Sequence, residues 1–143
     1  MNRGETLRAQ AERRLEGEIS EEQFRAEIAA EEDLELLKSI AEELTPHTEV
    51  SIPIYQRVLE AEPGDPGTWV DLGFVYWLCG QDDDARSCLA QAYRLDPGHL
   101  KALLLDAALE RDPREKRRLY ERVLEKDPEN QVARANLAEL GEP

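Results

Sequence analysis

Three amphipathic stretches of this chain each end on an acidic residue followed by proline: Glu62-Pro63, Asp96-Pro97 and Asp127-Pro128. Proline donates no N–H and pushes the residue before it out of the α region, so a helix must stop near each of these points. The stretch Ile54-Tyr55-Gln56-Arg57-Val58-Leu59-Glu60 returns 65 residues later as Leu119-Tyr120-Glu121-Arg122-Val123-Leu124-Glu125. Between them, Leu89-Ala90-Gln91-Ala92-Tyr93-Arg94-Leu95 has the same form, its proline 34 residues after Pro63 and 31 before Pro128. Units that recur at this interval mark a repeat architecture, in which each unit buries its apolar face only by stacking on a neighbour.

The stretch after each proline is helical as well. Trp69, Leu72, Gly73, Tyr76 and Trp77 fall at three- and four-residue spacing, as do Leu103, Leu104, Ala107 and Ala108, and then Val132 and Ala135. Gly80 suits a left-handed helix end and Asp82-Asp83-Asp84 suits the start of the next helix, where the dipole favours negative charge. No stretch alternates with a strand period. The expected fold class is all-α, built as stacked antiparallel helix pairs.

Trp69-x2-Leu72-Gly73-x2-Tyr76, with Ala85-x3-Leu89, Ala92 and Pro97 after it, resembles the tetratricopeptide repeat signature. It departs only at Leu89, where that family usually has an aromatic residue. Gly73 and Ala85 then fall where the two helices of a pair touch and a larger side chain would push them apart. The full unit spans about residues 64–97. A unit at about 98–128 is shorter, with Asp112-Pro113 in place of the Cys79–Asp83 stretch, and one at about 32–63 has a degenerate first helix (Leu34, Leu37, Ile40, Ala41, Leu44). Residues 131–140 resemble the polar helix that closes such stacks, so the expected domain is 32–143, an α-solenoid of three repeats and a capping helix.

Residues 1–31 are expected to form a separate helical hairpin. Leu7, Ala11 and Leu15 share a face up to Gly17, and Ser20-Glu21-Glu22-Gln23 reads as a capping box before Phe24 and Ile28. The segment from Gly17 to Phe24 is similar to short helical hairpins of bacterial proteins that serve in oligomerisation. Packing on the first repeat is the plainer expectation.

The charge restricts partners. Against 32 Asp and Glu stand 18 Lys and Arg, a net charge of −14, which opposes binding to nucleic acid or an anionic membrane. The excess is polarised: residues 1–50 hold 14 acids and 6 bases, 51–100 hold 8 and 3, and 101–143 hold 10 and 9. No apolar run reaches the ~20 residues of a membrane span, and the N-terminus lacks the apolar stretch of a signal peptide. Two cysteines are too few for a disulfide framework, so Cys79 and Cys88 are expected to be reduced, partly buried thiols of a cytoplasmic protein. Arg outnumbers Lys 14 to 4, a bias of GC-rich bacterial genomes.

No set of residues points to catalysis, a cofactor or a metal. His47 and His99 stand alone in expected loops, the cysteines have no His or CxxC companion, and no Gly-rich phosphate loop is present. The basic run Arg111, Arg114, Lys116, Arg117, Arg118 and Arg122 is interleaved with Glu115, Glu121 and Glu125 at pairing distance, so a solvated helix face is its expected role. Docking of an acidic partner is the alternative.

The tetratricopeptide resemblance implies a superhelix whose concave face binds a peptide or helix of another protein. Carried onto this sequence, the concave positions are Gly67, Val70, Phe74 and Trp77 in the full repeat and Lys101, Leu104, Ala108 and Arg111 in the short one. Trp69, Leu72, Tyr76 and Leu89 are expected in the core. Chaperone-binding relatives hold a C-terminal carboxylate with Lys and Asn on that face; Val70 and Phe74 occupy those places here, so the clamp is not expected. The expected function is to bind an apolar, basic-flanked segment of a partner protein. The alternative is self-assembly, such as a homodimer, through residues 1–30 or the stack ends. Whether residues 5–30 cover Phe74 and Trp77 is left open by the sequence.

Overall fold

The computed structural model describes residues 2–141, and the described residues form nine α-helices and no strand. They are α1 (Arg3–Leu15), α2 (Glu21–Ala29), α3 (Leu34–Glu43), α4 (Thr48–Ala61), α5 (Pro66–Leu78), α6 (Asp82–Leu95), α7 (Leu100–Leu109), α8 (Pro113–Lys126) and α9 (Gln131–Leu140). Most boundaries have local causes. Asp65 and Asp112 cap α5 and α8, whose first residues are Pro66 and Pro113, where a missing N–H costs nothing. The Ser20–Gln23 capping box opens α2 as its sequence implies. Gly17 and Gly80 take φ of +77° and +78°, the left-handed turn that lets one helix end and the next begin.

Pro53 does not stop its helix. It lies inside α4, buried among Val50, Ile54, Tyr55 and Val58, and the helix continues to Ala61. The lost hydrogen bond falls near the helix start, and packing of four buried neighbours outweighs it.

Consecutive helices pack as pairs, α3 with α4, α5 with α6 and α7 with α8; α5 also packs on α4 and α7, and α9 closes on α8. The architecture is therefore an all-α stack of helix pairs. Gly73 shows how tight it is: a Cβ there would come within 2.6 Å of Leu105 Cδ2 and 3.3 Å of Cys88 Cβ, so α5 touches α6 and α7 at one residue. Arg86 ties α6 to the end of α7 by donating to the Leu109 carbonyl at 2.8 Å.

The first two helices do not enter the groove. α1 packs on α3 and α4, and α2 on α4. Leu7, Ala11, Phe24 and Ile28 are buried in one core with Leu37, Ile40, Val50 and Ile54. Arg57 of α4 donates to the carbonyls of Ile28 and Glu31 at 3.3 and 3.0 Å, satisfying the end of α2 and fixing the hairpin on the first pair.

Candidate functional site

Four of the eight positions expected on the concave face meet in one place. Phe74 and Trp77 of α5 and Leu104 and Ala108 of α7 line a cleft of about 300 Å³ together with Lys116 and Tyr120 of α8 and Val132 and Asn136 of α9. Phe74 and Trp77 stand edge to face, centroids 6.2 Å apart and planes at 80°, an arrangement aromatic rings favour. Trp77 keeps 38% of its surface exposed, Val132 52%, and Leu78 next to Trp77 58%. Apolar side chains this large rarely stay in water together without a use.

The other four positions stand elsewhere, Gly67 among them in the first turn of α5. Lys101 and Arg111 are exposed but do not line the cleft. Val70 departs from the expectation: its exposure is 0%, and it packs with Ala85, Leu89, Ala102 and Leu105. The repeat register places it toward the groove, but α7 packs against that side of α5 and covers it. One further expectation changes, the partly buried state of Cys79. Cys79 is exposed at the end of α5, while Cys88 is buried with its thiol pushed up to about 12 by burial, so it is no nucleophile at neutral pH. His47 and His99 stand in loops as expected, each as the N-cap of the helix that follows, and His99 Nδ1 accepts from the Ala102 N–H at 3.3 Å. Leu72 and Leu89 are buried as expected; Trp69 and Tyr76 are partly buried against the core.

Lys116, Tyr120, Val132 and Asn136 belong to the cleft and were not expected there from the sequence. Val132 had a signal: it lies four residues past Pro128, as Gly67 and Lys101 lie four past Pro63 and Pro97. The repeat register therefore extends into α9. Tyr120 and Lys116 lie on the second helix of their pair, which the register alone assigns to the other side of the stack.

Asp71 is three residues before Phe74 on the same face of α5, half-buried. Burial holds its carboxyl above the ordinary range; Lys101 and His99 of α7 oppose that shift, while Glu42 of α3 and Asp65 reinforce it. Asp65 is better provided: it accepts from Thr68 Oγ1 at 2.7 Å, from Lys38 Nζ at 3.1 Å and from the Gly67 N–H at 3.1 Å. A second surface depression of about 600 Å³ lies between α4, α5 and α6, over Leu59, Trp69, Leu72 and Tyr76. Its aromatics are tied down, Trp69 Nε1 donating to the Pro63 carbonyl at 2.9 Å and Tyr76 Oη accepting from Gln56 Nε2 at 3.1 Å.

Among the described residues, no three His, Cys, Asp or Glu side chains gather as metal ligands, and no helix is long and apolar enough to cross a membrane.

Residues 48–106 match the family model described as tetratricopeptide repeat. No curated protein matches the chain. Among solved structures, the first TPR of Spaghetti (RPAP3), bound to the HSP90 peptide SRMEEVD, superposes with a TM-score of 0.66 at 23% identity, covering 75% of this chain and 89% of that one. The Arabidopsis OM64 TPR domain gives 0.66 at 14% identity, covering 77% and 95%. The second TPR domain of human RPAP3, in complex with the HSP70 peptide SGPTIEEVD, gives 0.62 at 19% identity, covering 75% and 93%. At these identities the likeness carries the fold.

Proposed function

We propose that this chain, which carries tetratricopeptide repeats over residues 48–106 and stacks its helices as such domains do, holds an apolar segment of a partner protein in the cleft at Phe74, Trp77, Leu104 and Ala108. The observation that carries this is the edge-to-face Phe74–Trp77 pair, left accessible because the N-terminal hairpin packs on α3 and α4. Two of the solved relatives are complexes with chaperone peptides, which supports peptide docking as the general mode. Their acidic peptides do not fit the acidic half of this chain, and the segment that would suit it has Lys or Arg in its flanks. Lys101 and Arg111 lie outside the cleft, and Val70 supports Phe74 from beneath. Residues 1–31 act as a brace for a docking domain of residues 32–143. The role is binding without chemistry, in a reducing cytoplasm that suits the unpaired Cys79 and Cys88.

Truncating both aromatic anchors tests this. Phe74→Ala with Trp77→Ala should abolish partner recovery in a pull-down and weaken peptide binding by about 2 kcal/mol or more, the cost of losing an interface anchor. Recovery equal to wild type, with circular dichroism unchanged, would sink the proposal.

A further inference from the structure

We infer that the depression between α4, α5 and α6 is a second docking surface, which takes a large apolar side chain of a partner protein with Lys or Arg beside it. Its volume is about 600 Å³ against about 300 Å³ for the aromatic cleft, within the usual ~300–1,000 Å³ of binding pockets. The two share no lining residue, so this surface does not depend on the cleft being a docking site.

The floor is built on one face of α5. Trp69, Leu72 and Tyr76 recur there at helical spacing, and α5 packs on both α4 and α6, so the gap between those two helices opens over that face. Leu59 of α4 and Cys88 of α6 extend the apolar lining. At its border Glu60 of α4 and Ser87 of α6 are exposed and polar, and leave the hollow unfilled. The two aromatic rings are held in place before any ligand arrives. Trp69 Nε1 donates to the Pro63 carbonyl at 2.9 Å, and Gln56 Nε2 donates to Tyr76 Oη at 3.1 Å. Gln56 is itself fixed, because its Oε1 accepts from Arg25 at 2.8 Å. Ordered aromatic rings make good interface anchors, since binding them costs little conformational entropy. Tyr76 Oη also keeps its own proton, which has no acceptor among the described residues and suits a backbone carbonyl of the ligand.

Charge decides the occupant. Glu60 of α4 and Asp84 of α6 line the hollow, and no Lys or Arg does. Among the described residues neither carboxylate makes an ion pair. Every lining residue falls within 51–100, a stretch of 8 acids and 3 bases. Those three bases are engaged: Arg57 donates to the Ile28 and Glu31 carbonyls, Arg86 to the Leu109 carbonyl, and Arg94 to Gln91 Oε1 at 2.9 Å. Arg25, which reaches Gln56 from α2, is paired with Glu21 at 3.1 Å. A cation beside the apolar side chain therefore meets two unpaired carboxylates, and an anion would be repelled by both.

The chain has two tryptophans, Trp69 in the hollow and Trp77 in the cleft, so each surface carries its own fluorescent reporter. Phe74→Ala with Trp77→Ala disables the cleft and leaves Trp69 as the one tryptophan; Trp77→Phe does the latter with a smaller change if the double variant unfolds. Either is titrated with nine-residue peptides holding a central Leu in a Ser/Ala background, flanked by Lys, by Glu or by Ser. Trp69 fluorescence should saturate with the Lys-flanked peptide about tenfold more tightly than with the Glu-flanked one, a difference of ~1.4 kcal/mol. That preference should weaken as salt is raised. Glu60→Gln with Asp84→Asn should remove it, and Ser87→Phe, at an exposed position of α6, should plug the hollow and abolish binding, with circular dichroism confirming the fold. No saturation with any peptide, equal affinity for Lys and Glu flanks, or binding that survives Ser87→Phe overturns the assignment. A mass that doubles with protein concentration in light scattering, with Trp69 fluorescence following it, gives the hollow to a second copy and overturns the partner segment. The cleft is judged separately, by the pull-down with wild type and the double variant, so either surface can fail without the other.

Discussion

Gly73 sits where α5 meets both α6 and α7, with no room for a methyl group. Alanine favours a helix over glycine by about 1 kcal/mol. Forcing a carbon into a filled core costs about 1–3 kcal/mol. The second effect should win, because the atom in the way belongs to Leu105, which is itself fully buried and cannot swing aside. Gly73→Ala is thus expected to lower stability by about 1–2 kcal/mol in urea unfolding. A neutral or stabilising result would mean that Leu105 repacks freely. Val70 illustrates the same crowding, since a position whose register points to the groove is lost to the core when the neighbouring helix packs closely.

Individual helices are held by caps, and the one on α5 reports on pH. Burial pushes the Asp65 carboxyl up, but hydrogen bonds from Thr68, Lys38 and the Gly67 amide bring it below the ordinary range. A carboxylate lowered in the folded state adds stability above its unfolded value, near pH ~4, and loses it as pH falls through the folded value. Asp65→Ala should therefore cost about 1 kcal/mol at neutral pH, the usual worth of an N-cap. The difference from wild type should shrink below about pH 4. A difference that does not shrink at all as the pH is lowered further would assign the loss to packing. The hairpin was legible as a pair of helices from Leu7, Gly17, Ser20 and Phe24, but its docking was not, because amphipathic faces do not name the surface they cover.

For the molecule as a whole, the apolar residues of the hairpin are already committed: Leu7, Ala11, Phe24 and Ile28 lie in the core shared with α3 and α4. A dimer built on that hairpin would have to unpack it first. The expectation is a monomer by light scattering at micromolar concentration. A tight dimer that dissociates on removal of residues 1–30 would reinstate self-assembly as the function. The polarised charge acts at this level too, since an acidic half steers cationic ligands and speeds encounter most at low salt.

The sequence by itself determined the class of fold, because proline after an acidic residue stops a helix whatever surrounds it, and the spacing of Trp69, Leu72, Gly73 and Tyr76 demands a neighbour to pack on. Its tetratricopeptide resemblance also implied Phe74, Trp77, Leu104 and Ala108 as concave positions, because the signature residues that carry the resemblance are read locally. Only the tertiary structure decided that Val70 is covered, that Lys116 and Tyr120 of a second helix join the cleft, and that the hairpin leaves the aromatic pair open. Those outcomes depend on the distances and angles at which helices pack, and these are set by side chains far apart in the chain.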